Sequence, residues 1–139
     1  MNQIPGEFST TSGSSVRDAR PLRDPLMQFN VLEEIARLAD EPQWSDGDRN
    51  SIVLAKDARF RMLLTVLRQG ARLADEDAAA TLSAHLLTGS ASVRRGDAEV
   101  LLAPGEIAVL ESGASWELVA QAESAVLLTL AWPEAQTGV

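Results

Sequence analysis

The chain contains no cysteine, which removes disulfides, thiolate nucleophiles and zinc–thiolate sites together. Lysine is almost as scarce. Lys56 stands alone against eleven arginines, so a Schiff base or a lysine general base has a single candidate. That arginine-heavy balance is associated with GC-rich bacterial genomes. Histidine also occurs once, as His85. No apolar run approaches the roughly 18 residues that a membrane span needs. The chain does not open on a basic segment followed by an apolar stretch, the pattern of a secretory leader. The expectation is a cytoplasmic protein with no membrane partner. Positive charge is short as well: the net charge of −8 repels a phosphate backbone, so nucleic acid is not an expected partner. No Gly-x-Ser-x-Gly elbow, phosphate loop or dinucleotide fingerprint occurs.

What is present fits one domain. A chain of 139 residues, 45% of them apolar, can bury a sizeable core. Residues 1–25 are rich in Ser, Thr, Gly, Pro and charge and read as a disordered tail. Residues 26–49 read as a helix and connector, 50–134 as a barrel, and 135–139 as a short tail. The helix runs from Asn30 to Ala39. Asn30 can cap it, Glu33 follows as in a capping box, and Val31, Leu32, Ile35 and Leu38 make an apolar stripe. Pro42 lies just beyond its expected end.

From Asn50 the hydrophobic period changes to two. Apolar runs recur near 51–55, 60–68, 81–88, 90–94, 98–102, 107–110, 115–120 and 124–132. Arg94-Arg95-Gly96-Asp97 reads as a hairpin turn in which Gly96 takes a positive φ. A succession of short strands without a βαβ pattern predicts an all-β sandwich or barrel. Asp75 to Ala80 is Ala-rich enough for one helical turn.

Two glycine-framed motifs occur in the second half. The first is Gly70, five residues, Glu76-Asp77-Ala78, three residues, Leu82, six residues, Gly89. The second is Pro104-Gly105, five residues after that glycine, Glu111-Ser112-Gly113, two residues, Trp116, three residues, Ala120. In this spacing the second half resembles the cupin family of small jelly-roll barrels. The resemblance implies a cupin-like jelly-roll β-barrel with one short N-terminal helix, and a homodimer. It also implies a metal held by three histidines and a glutamate. Those four positions here are Glu76, Ala78, Leu82 and Trp116. Alanine, leucine and tryptophan side chains supply no donors at metal distances. The expectation is therefore no cofactor and no metal.

Several residues remain as candidates. Asp75-Glu76-Asp77 is either a cation-binding cluster or a solvated acidic loop; adjacent strand side chains point to opposite faces and do not converge easily. His85 suits acid–base work near neutral pH, yet counting by twos from Leu82 puts it outside the lumen. Trp116 either fills the space of the lost metal or stacks on a planar ligand. Phe60, Met62, Leu64 and Val66, with Leu82 and Leu86, read as an apolar lumen lining or as a plain core. Arg61, Arg68, Arg72, Arg94 and Arg95 read as solvated charge at strand ends and turns, with anion binding by one or two left open. Trp44 and Trp132 read as packing residues. Three functions follow. One is a metal-free binding or sensory protein that takes an apolar or planar small molecule, with Trp116, Met62, Leu64, Leu82, Glu76 and His85 as its contacts. Another is a metal-independent sugar epimerase or isomerase that relies on His85 with Glu76 or Glu111. The last is a structural or interaction module whose barrel is closed by its own side chains.

Overall fold

The computed structural model describes residues 25–75 and 78–135, so the tail through residue 24, Glu76, Asp77 and residues 136–139 lie outside the description. The first element is α1, Val31–Leu38. The Asn30 side chain accepts a hydrogen bond from the Glu33 N–H at 3.1 Å, which satisfies one of the free donors of the first turn. Val31, Ile35 and Leu38 bury against the sheet below, whereas Leu32, expected in the stripe, is 69% exposed. Glu34 takes the buried place instead and meets Arg37 at 3.3 Å. Pro42 does more than follow the helix. It opens a second one, α2 (Pro42–Asp46), where a missing N–H costs nothing. This short element buries Trp44.

Nine strands follow: β1 (Arg49–Asp57), β2 (Phe60–Leu67), β3 (Arg72–Asp75), β4 (Thr81–Thr88), β5 (Ala91–Arg95), β6 (Ala98–Leu102), β7 (Ile107–Leu110), β8 (Trp116–Ala120) and β9 (Ser124–Ala131). They form an antiparallel sheet ordered β1-β2-β9-β4-β7 and a second ordered β3-β8-β5-β6. The protein is an all-β jelly roll whose two sheets face each other without closing into a continuous barrel. Strand β3 has no counterpart among the apolar runs of the sequence. It is four residues long and half polar, and its pairing of Leu73 with Leu118 makes it a strand. Ala78 to Ala80 form no helical turn.

Two apolar layers hold the molecule together. Leu73, Leu82, Leu86, Leu118 and Leu128 belong to the layer between the sheets. Leu38, Trp44, Ile52, Leu54, Leu64 and Val66 belong to a layer between the larger sheet and the helices. Strand β2 therefore has apolar residues on both faces. The expectation that Phe60, Met62, Leu64 and Val66 share a face is right, but the face is the other one. Met62, Leu64 and Val66 lie under the helices, and Leu63 and Leu67 face the second sheet. Arg61 is corrected too. It is 3% exposed within β2 and lies over the Trp132 ring at 4.9 Å, so it is not a solvated strand-end charge.

The four motif glycines, Gly70, Gly89, Gly105 and Gly113, all have positive φ, as does the hairpin Gly96. At Gly89 the chain also runs so close to β9 that a Cβ would lie 2.2 Å from Ser124 Oγ. The turn there admits no side chain.

Candidate functional site

Three of the four positions of the expected metal site come together, and none of the three carries a metal donor. Leu82 on β4 and Trp116 on β8 come from opposite sheets, and Ala78 enters from the segment before β4. All three join the layer between the sheets, at 1%, 5% and 4% exposure respectively. The Gly113 N–H donates to the Ala78 carbonyl at 2.8 Å, which ties the two motifs together. The sequence spacing thus brings the right positions to one place. What they present there is hydrocarbon and an indole. A divalent metal needs converging oxygen, nitrogen or sulfur donors, and these three side chains do not fit it. Among the described residues no group of three His, Cys, Asp or Glu side chains is placed to hold a metal. Glu76, the remaining motif position, lies outside the described residues.

His85 faces away from this frame. It pairs with Ile107 and Leu127, one residue out of phase with Leu82, Ala84 and Leu86, which point inward. The epimerase-like use of His85 inside the lumen is therefore corrected. Of its two expected acid partners, Glu111 is exposed in the turn after β7, and Glu76 lies outside the described residues. Met62 and Leu64 are likewise removed from the lumen to the layer beneath the helices. Of the described residues expected to share a ligand, only Leu82 and Trp116 lie in the layer between the sheets, and both are packed.

The open space lies elsewhere. A cavity of about 620 Å³ runs between β6 and β7, the adjacent free edges of the two sheets. Val93, Val100 and Leu102 form its wall on the smaller sheet, and Ala108 and Leu110 its wall on the larger. Arg95 and Glu106 also line it. The strand register sets its length. Arg95 pairs with Ala98 at one end, and Leu102, four residues along β6, lies near the other. Four residues of extended chain span roughly 13 Å. Glu106 belongs to the Leu102 end, where its Oε1 accepts the Ala103 N–H at 2.8 Å within the β6–β7 turn. The sequence hid this cleft because its walls read as ordinary strand residues. The available signal was that β6 and β7 are apolar on both faces, with Val100, Leu101, Ile107 and Val109 all at least half exposed.

No family model matches the sequence, and no curated protein does. Many solved structures match the fold. One is an RmlC-like cupin protein from Desulfovibrio desulfuricans, at 19% identity and a TM-score of 0.60 over 76% of this chain and 97% of that one. A cupin superfamily protein from Desulfitobacterium hafniense shares 17% identity, with a TM-score of 0.58 over 60% of this chain and 77% of that one. A salicylate 1,2-dioxygenase from Pseudoaminobacter salicylatoxidans shares 15% identity at a TM-score of 0.63, over 73% of this chain and 34% of the enzyme. With the motif glycines all in the positive-φ turns that their spacing demands, this chain has a cupin-like jelly-roll fold.

Proposed function

We propose that the protein is a metal-independent binding or sensory cupin that holds an apolar or planar small molecule in the cleft between β6 and β7. One observation carries this reading. The cleft, at about 620 Å³, is of the size and apolar character that suits a small organic ligand, while the expected metal frame is packed shut by Ala78, Leu82 and Trp116. A homodimer, which the family resemblance implies, and a cytoplasmic location belong to the same proposal; the mass of the protein in solution checks the first. No reaction is assigned to the cleft.

A thermal-shift screen against a broad metabolite library tests the reading. Ala108 lies in the cleft wall and is partly buried, so Ala108→Trp fills the cleft from one side. The expected result is at least one small apolar compound that raises the melting temperature of the wild type and not of Ala108→Trp. No stabilising compound, or equal stabilisation of both proteins, contradicts it. The packing around Trp116 favours one second reading, a structural or interaction module. A silent screen would leave that module as the better account.

A further inference from the structure

Arg95 stands at one end of the cleft, and among the described residues no carboxylate forms an ion pair with it. The other arginines of the sheets are engaged. Arg72 and Arg94 both donate to the Glu117 carboxylate, and that hydrogen bonding, Arg72 first, holds it below the usual carboxylate range. Arg68 lies over the Trp44 ring at 4.2 Å and donates to the Trp44 and Gly47 carbonyls. Arg61 lies over Trp132. Arg59, in the β1–β2 turn, is exposed to water. Arg95 differs from all of these. It is half-buried, and among the described residues its one hydrogen bond is a long contact of 3.5 Å from Nη2 to the Ser112 carbonyl. That contact places the guanidinium across the end of the cleft, between the smaller sheet and the β7–β8 turn. Ala91 and Val93 face the core, so by strand alternation Arg95 points to the same side. A guanidinium offers five donors in a planar fork that matches a carboxylate.

The acids near the cleft do not supply that carboxylate. Glu106 is held in its turn at the opposite end, roughly 13 Å away along the strands. Glu99 lines the cleft as well, but it pairs across the sheet with Arg94 rather than Arg95 and alternates to the face opposite Leu102. We infer that the cleft takes a small amphipathic monocarboxylate, its carboxylate on Arg95 and its apolar body along Val93, Val100, Leu102 and Ala108. This inference rests on the proposed binding function and names the ligand class of that site. The net charge of −8 repels anions at long range, but at physiological salt that field is screened beyond about 8 Å. Selectivity is thus set by the local contact.

Calorimetric titration with 2-naphthoate and its neutral isostere 2-naphthamide tests it on the wild type, Arg95→Met and Ala108→Trp. The wild type is expected to bind the carboxylate about tenfold more tightly than the amide, in line with a charge-assisted hydrogen bond at a half-buried site. Arg95→Met is expected to lose that preference while keeping its affinity for the amide. Ala108→Trp is expected to bind neither. Equal affinity of the wild type for the two probes overturns the anionic ligand and leaves the binding function standing. A preference that survives in Arg95→Met overturns the role of Arg95. Binding of neither probe to the wild type overturns the inference, and the library screen then decides the binding function separately. The two-probe comparison on the wild type needs no variant to fold.

Discussion

At residue scale, Trp116 decides how the expected metal frame is read. Its indole is buried between the sheets with Leu82 and Ala78 beside it in the same layer, so it acts as core. Trp116→Ala should cost about 3–5 kcal/mol of stability through lost burial and the cavity left behind. Urea unfolding measures this. A cost below about 1 kcal/mol would instead mark a side chain that waits for a ligand. Gly89 is the other residue whose identity is dictated by geometry. Its φ is +92°, and a Cβ would strike Ser124 Oγ at 2.2 Å and the Glu123 carbonyl at 2.4 Å. Gly89→Ala should destabilise by about 2–4 kcal/mol. Gly96→Ala, with open space around it, should cost about 1–2 kcal/mol, the left-handed backbone penalty alone. The same chemical denaturation compares the two, and equal costs would mean that β9 yields to the added methyl. The spacing of these glycines was legible in the sequence because a turn requirement is local. The use of Arg95 was not, because its meaning depends on which arginines find partners across the sheets.

At the scale of elements, the instructive case is β2. Its strict alternation correctly places Met62, Leu64 and Val66 on one face, yet the pattern could not say which. A strand covered on one side only shows a polar face that identifies solvent. Strand β2 has helices on one side and the second sheet on the other, and even its inward Thr65 is fully buried, bonded to Ser51 at 3.0 Å. Placement of the face required knowing that α1 lies over this strand, a long-range fact. Asn50 fixes that docking. It is fully buried, and its Nδ2 donates to the Leu38 carbonyl at 3.0 Å and to Glu41 Oε1 at 2.9 Å, while its Oδ1 accepts the Ser51 N–H. It thereby satisfies a carbonyl at the end of α1 that the helix itself leaves free. Asn50→Ala should destabilise by about 1–3 kcal/mol, the penalty for stranding buried polar groups. Hydrogen exchange should then show faster opening of residues 31–38 than of β4 or β9. Unchanged protection of α1 would mean that the apolar contacts of Ile35 and Leu38 suffice to dock it.

At the scale of the whole molecule, the jelly roll joins a packed interior to an open edge. The layer between the sheets is filled where relatives of this fold were expected to keep a metal, and an open cleft lies where β6 and β7 end their sheets side by side. The proposed ligand site thus lies at the seam of the two sheets rather than between them. Glycine spacing could reveal the fold because turns are local, but the seam arises from the order of strands in two sheets. Amide chemical-shift mapping of the uniformly labelled full chain with 2-naphthoate tests this most directly. The account predicts shifts concentrated on residues 93–102 and 106–110, with little change at Ala78, Leu82 and Trp116. Shifts centred on Ala78, Leu82 and Trp116, or none anywhere, would contradict it.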